Sequence, residues 1–420
     1  MLPGLHAGRR TLVALVVAVD LMAGAAPARA EDEIVLGMSA ALSGPSQGLG
    51  IELWRGARAY FSSLNERGGI EGRPVVLRVL DDGYDPERAL TNTQTLLEDE
   101  DVAALFGFVG TPTTTRILPL MKLHDMKHGG RMLLFFPFTG AQPLRHPPYG
   151  DLVFNLRASY RDETRGLVAG CSEIGRRRIG IFYQADAYGR SGWDGVHRAA
   201  ARHGAEVVAE ATYRRGDNLT GDYSRQVEIL REANADCVIA IGTYAACAGF
   251  IRNARDAGWD VLIANVSFVG SENLLAELLE LSAAGTRDYT MNLVNSQVVP
   301  DYRDESLPAV REYREAMESF APRPEPAVSG SNYRPVPLGP VSLEGFLSAK
   351  LMAEILRRAD DASSTPDLRA AAESVRTVDL GTETPVSYSA NDHEGLEKVY
   401  FTTIEDGRFV PLSDWSRWRK

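Results

Sequence analysis

Three cysteines in 420 residues are too few to hold a fold together by disulfides. Cys171, Cys237 and Cys247 read as small buried hydrophobes, with a Cys237–Cys247 bridge as the alternative. An odd number leaves at least one thiol unpaired. Positive charge is also short: 45 Lys and Arg face 56 Asp and Glu, a net charge of −11. No basic stripe with interleaved aromatics exists, which excludes nucleic acid as a partner and fits a protein that does not adhere to anionic membranes. Beyond the first 30 residues there is no apolar run of membrane-spanning length. Internal repeats of solenoid period are absent as well. The one biased tract, Ala321 to Pro340, is rich in Pro, Gly and Ser and reads as an exposed loop.

The N-terminal apolar run has a different meaning. His6, Arg9 and Arg10 make a basic start, Thr11 to Met22 is apolar apart from Asp20, and Ala28-Arg29-Ala30 is an A-x-A cleavage site. The pattern predicts a signal peptide over 1–30 and an exported, periplasmic mature chain beginning at Glu31. Arg9-Arg10 leaves twin-arginine export open beside the general route.

The rest of the chain is arranged around Val102 to Arg116. Val-Ala-Ala-Leu-Phe is too short for a helix and reads as a buried strand. Gly110 permits a sharp turn, Thr111 suits a helix cap, and Pro112 suits the first helical position. Such a helix start aims free N–H groups at the carboxyl edge of the sheet, where open α/β sheets bind ligands. Around it, strands and helices alternate: strand Ile34–Leu42, a helix through Leu53 to Leu64, strand Val75–Leu80, then a helix capped by Asp85-Pro86. Met132–Phe136 and Val153–Leu156 follow as strands.

A second block repeats the alternation: helix Thr164–Ile174, strand Ile179–Tyr183, a helix to His203, strand Val207–Tyr213, helix Tyr223–Ala233, strand Cys237–Ile241, helix Ala245–Ala257, strand Val261–Asn265 and helix Asn273–Leu281. Tyr289–Val294 and Gln297–Val299 read as extended. A helix bearing Val310, Tyr313 and Met317, the amphipathic helix Val341–Ala359 and a hairpin turning at Asp406-Gly407 complete the chain. At this length the pattern means an α/β protein of two lobes, each a mostly parallel sheet flanked by helices.

Several motifs point to other chemistry and fall short of it. Gly44-Pro45-Ser46-Gln47-Gly48 matches G-x-S-x-G, and Asp392-His393 are available as partners for a serine hydrolase. Only one strand precedes Ser46, whereas a nucleophile elbow lies deep in its sheet. The same glycines are in the wrong order for a dinucleotide fingerprint before Asp81-Asp82. His124 and His128 stand one helical turn apart with no third metal ligand nearby. Arg176 to Arg178 read as a solvated corner. Tyr160, Tyr188 and Tyr244 are different. The latter two follow strands and therefore reach the same edge as Thr111 and Thr139, where an apolar ring with a hydroxyl suits a cleft for a small, partly apolar ligand.

An ordered set of motifs resembles a known family: Ile34-Val-Leu-Gly with Leu42-Ser-Gly-Pro, Asn65 to Pro74, Asp81-Asp82 with Asp85-Pro86, Gly107-Phe-Val-Gly-Thr, Tyr188-Gly189 and Val341-Ser-Leu-Glu-Gly-Phe. They resemble the type I periplasmic solute-binding proteins of ATP-driven importers, in the branched-chain amino acid and amide-binding group. The resemblance implies two lobes joined by three crossovers: 31–157 with 298–397, and 158–297 with 398–420. It implies that Thr111 holds a ligand carboxylate, that Thr139, Gly140 and Ala141 supply neighbouring contacts, and that Tyr188 and Tyr244, or Thr243, close from the second lobe. Gln47, Thr113, Phe138, Tyr160 and Phe268 complete the candidate contact set. Amino-acid binders of this group place an acid after the strand that ends at Asn265. Here Val266-Ser267-Phe268-Val269-Gly270 has none, so either the ligand lacks an α-amino group or Glu272 reaches in. The implied role is solute capture and delivery to a membrane permease by a monomer without cofactor or metal. The alternatives are delivery to a sensor receptor and, remotely, hydrolysis by Ser46.

Overall fold

A computed structural model describes residues 33–129, 132–285, 287–324, 333–362 and 364–420. The segment read as a signal peptide, Gly130 and the middle of the Ala321–Pro340 loop lie outside the described residues. The first half builds β1 (Ile34–Ala40), α1 (Gln47–Glu66), β2 (Val75–Asp81), α2 (Pro86–Glu98), β3 (Val102–Phe106), α3 (Thr111–His128), β4 (Leu134–Phe135) and β5 (Val153–Phe154). Its strands pair in parallel in the order β2-β1-β3-β4-β5. β1 and β3 are buried along their whole length, as short continuous apolar runs in a parallel sheet require.

The chain then continues through α4 (Tyr160–Glu173), β6 (Arg178–Gln184), α5 (Ala187–His203), β7 (Glu206–Tyr213), α6 (Ser224–Glu232), β8 (Cys237–Ile241), α7 (Tyr244–Asp256), β9 (Leu262–Asn265), α8 (Ser271–Ala284) and β10 (Leu293–Gln297). After α9 (Pro308–Phe320), α10 (Pro340–Arg358) and α11 (Thr365–Glu373) it ends in the hairpin β11 (Tyr400–Glu405) and β12 (Arg408–Pro411). The second sheet runs β12-β11-β10-β9-β8-β6-β7, antiparallel only at β11 and β12.

α9 and α10 return to pack on α1 beside the first sheet. The contact is close because Gly345 lacks a side chain: a Cβ there would lie 2.1 Å from the Leu53 carbonyl oxygen. The chain therefore passes between the halves three times: after β5, after β10 and before β11. Gly395 N and Leu396 N donate to the Asn155 and Leu156 carbonyls (2.8 and 2.9 Å), which lays the third passage along the first.

Several expectations need correction. The fourth helix begins at Tyr160, not Thr164, because Ser159 and Asp162 form a capping box one turn earlier. The two extended pieces around 289–299 are one strand, Leu293–Gln297, and α11 carries no signal that the periodicity revealed. The bridge is Cys171–Cys237, joining α4 to β8 with the Cα atoms 6.6 Å apart, while Cys247 is free and buried. Packing of α4 over β8 decides the pairing, and sequence spacing does not report it. No helix among the described residues is long and apolar enough to cross a membrane.

Candidate binding site

Gly110 ends the central strand–turn with φ +103 and ψ 146, a conformation closed to residues with a Cβ. It is also the cap of α3. Thr111 is therefore the first helical residue and not the cap, which frees its hydroxyl. That hydroxyl lies 2.7 Å from Thr139 Oγ1 and 3.4 Å from Tyr160 OH. Ala141 N donates to Thr139 Oγ1 (3.3 Å), and Tyr160 N donates to the Gly140 carbonyl (2.9 Å). Thr111, Thr139 and Tyr160 thus form one buried hydroxyl cluster at the carboxyl edge of the first sheet.

The second half closes over it with aromatic rings. Phe268 is the hub: its ring centroid lies 5.1 Å from Phe138, 4.7 Å from Tyr188, 6.2 Å from Tyr84 and 6.5 Å from Tyr160. Asp186 caps α5 by accepting from Tyr188 N (3.0 Å), and Tyr188 OH donates to the Gly242 carbonyl (3.2 Å). Gly48 N, at the start of α1, donates to Tyr244 OH (3.1 Å), a hydrogen bond that crosses between the halves. Burial raises the hydroxyl pKa values of Tyr84, Tyr160 and Tyr188, so all three stay neutral and can donate.

Not every candidate joins this cluster. Thr113 Oγ1 donates to the Val109 and Gly110 carbonyls (2.5 and 2.9 Å), so it serves the helix start. Gln47 is half-buried at the first position of α1, and no side-chain hydrogen bond links it to the hydroxyls. Glu272 turns elsewhere: its Oε1 accepts from Tyr302 OH (2.8 Å). Of the two options raised by the missing acid, the one in which Glu272 reaches in is overturned, because the first turn of α8 directs that side chain toward the second passage. His393 faces the Gly150 carbonyl (3.1 Å) and stacks on Phe154, so it is not paired with Ser46. The rings of His124 and His128 lie 4.5 Å apart on α3.

Three residues at the site escaped the sequence reading. Tyr84 has φ +64, unusual for a ring-bearing residue, and its turn is held by Tyr84 N donating to Asp82 (2.8 Å). Its hydroxyl accepts from Gln184 Nε2 (3.4 Å), the second missed residue. Asp81-Asp82-Gly83-Tyr84-Asp85 carried the signal, an aspartate-rich turn that ends in an aromatic.

Arg157 is the third. Its guanidinium is buried 4.7 Å over the Phe138 ring and 5.9 Å from Tyr160, and Ser267 Oγ accepts from Nη2. Glu163 and Glu344 flank it at 3.4 and 3.5 Å, yet among the described residues Nε and Nη1 find no hydrogen-bond partner. Burial opposes the charge, but Glu344 and Glu163 together hold the Arg157 pKa above its ordinary value. Burial pushes Glu344 up to about 7 against the pull of Arg157: one guanidinium serves two carboxylates.

Among the described residues no carboxylate bonds to the Thr111 or Thr139 hydroxyl. The arrangement offers hydroxyl donors, a cationic edge and apolar walls, which together suit a carboxylate on a flat or apolar body.

Residues 33–408 match the family model described as periplasmic binding protein. A solved structure described as a possible leucine/isoleucine/valine-binding protein from Rhodopirellula baltica is 31% identical, with a TM-score of 0.80, over 93% of this chain and 98% of that one. An amino acid binding protein of Pseudomonas aeruginosa is 22% identical over 60% of this chain, and the match spans 64% of that protein's length. A fatty acid ABC transporter substrate-binding protein from Thermomonospora curvata, 21% identical over 92% of both chains with a TM-score of 0.76, shares the fold.

Proposed function

The chain belongs to the periplasmic binding protein family, and from that premise we propose that it captures a small carboxylate with a flat, apolar body and delivers it, closed, to the permease of an ATP-driven importer. The first 30 residues are taken as its cleaved export signal, and the lobes as 31–157 with 298–397 and 158–297 with 398–420. One observation carries the ligand class. The buried Thr111–Thr139 hydroxyl pair adjoins Tyr160, Phe268 packs on the Phe138 and Tyr160 rings from the window where the amino-acid binders of this group put an acid, and Glu272 points away. A ligand ammonium would enter such a wall without a counter-charge, at a cost of several kcal/mol. A carboxylate meets two hydroxyls with the Arg157 guanidinium near. Amino acids and fatty acids, the ligands named for the relatives, share that group on an apolar body.

A thermal-shift screen of amino acids, amides, aromatic acids and aliphatic acids tests this, since a ligand stabilises the fold in proportion to its saturation. The des-amino and aromatic acids should stabilise more than the matching amino acids; the reverse order rejects the reading. Thr111→Ala should weaken the best acid by about 1–3 kcal/mol in calorimetry, the range for hydrogen bonds to a charged group.

A further inference from the structure

A cavity of about 260 Å³ lies where two of the three passages run between the halves. Val299 to Arg303 form one wall and Val399 to Thr402 another. Phe401, Phe409, Pro411 and Leu412 make its lining apolar. Two carboxylates line it, those of Glu272 and Asp301. Tyr302 OH donates to Glu272 Oε1 at 2.8 Å, while among the described residues Glu272 Oε2 accepts no hydrogen bond and belongs to no ion pair. The one cationic side chain in the lining, Arg303, is engaged by Asp301 through both of its carboxylate oxygens, at 3.0 and 3.1 Å. The lining therefore carries a net negative charge beside an apolar interior.

We propose that this cavity is a second ligand site, which takes a protonated primary amine on a short apolar body, with the ammonium on Glu272 Oε2 and the hydrocarbon against Phe401, Phe409 and Leu412. A charge-assisted hydrogen bond is stronger than a neutral one, so an amine outcompetes an alcohol of the same length, and a carboxylate is repelled. The site is independent of the cleft: none of its lining residues belongs to the Thr111 cluster. Because the walls come from both passages, and Pro340 at the start of α10 adds the first half, the bound amine touches both halves of the protein.

Calorimetry of the purified protein with n-hexylamine, n-hexanol and hexanoate tests the proposal. The amine should bind saturably and about tenfold tighter than the alcohol, with no binding of hexanoate at this site. Glu272→Gln and the cavity-filling Leu412→Trp should each abolish that preference, and Thr111→Ala should leave it unchanged. Equal binding of amine and alcohol, no saturation up to millimolar amine, or loss in Thr111→Ala with retention in Glu272→Gln overturns it. In the unsubstituted protein, a crystal soaked in hexylamine should show the nitrogen beside Glu272; density only in the Thr111 cleft, or none, rejects the site without reliance on any variant. Failure here leaves the cleft reading untouched, since that reading is scored on acids and on Thr111.

Discussion

Gly110 carries two constraints. Its φ of +103 with ψ 146 is open to glycine almost alone, and the Tyr84 ring lies 2.3 Å from where a Cβ would sit. Gly110→Ala should therefore destabilise the protein by about 1–3 kcal/mol from the backbone alone, and should weaken cleft ligands by displacing Tyr84. Unchanged urea midpoint and affinity would reject both. The glycine itself was legible, since a Gly-Thr-Pro turn after a buried strand asks for a sharp bend. Its meeting with Tyr84 was not, because 25 residues and a separate turn lie between them. Phe268 shows the same limit. Its position in an acid-free window was readable, but its role as hub follows from four rings converging on it from four segments.

At the scale of elements, burial and periodicity carried most of the information. β8 stands at Cys237–Ile241 as the apolar run predicts, and β3 follows the Val102 run. Ends moved where side-chain caps competed with pattern, as at Ser159. The motif Val341-Ser-Leu-Glu-Gly-Phe gains a physical account: Glu344 flanks Arg157, and Gly345 admits the Leu53 carbonyl. The Cys171–Cys237 bridge ties two elements across a sequence separation of 66. A closed loop of that size removes enough unfolded-state entropy to contribute roughly 4 kcal/mol. The Cys171→Ser/Cys237→Ser variant should lose stability of that order in urea titration; an unchanged midpoint would show that the bridge adds nothing.

At the scale of the whole molecule, two buried carboxyls and one half-buried carboxyl share one behaviour. Burial raises Asp82, Glu277 and Glu344 to about 7 each. Between the ordinary carboxylate range and 7 the native state holds protons that the unfolded chain has released. Stability is then greatest below that range and falls as pH rises toward 7. Asp81 and Asp194, whose carboxyls are held below their ordinary values despite burial by hydrogen bonds to Ser43 and Arg161, act at lower pH. The unfolding free energy from urea titration should decline from about pH 5 to pH 7.5, by an amount on the order of a few kcal/mol, with the midpoint falling accordingly, and Glu344→Gln should flatten part of the slope. A midpoint that rises over this range would contradict the assignment.

The chain alone determined its class. Apolar runs of strand length alternating with amphipathic helices leave an α/β architecture, and 420 residues call for two lobes. Local turn chemistry likewise marked Thr111, Thr139 and Tyr188, because each sits beside a strand end that its own neighbours specify. Tertiary structure alone decided which side chains meet. The passages between the halves bring Glu344 beside Arg157 and Glu163, the start of α8 sends Glu272 away from the cleft, and packing of α4 over β8 pairs Cys171 with Cys237. Contacts between residues far apart in the sequence depend on how sheets and helices stack, and no local pattern encodes that stacking.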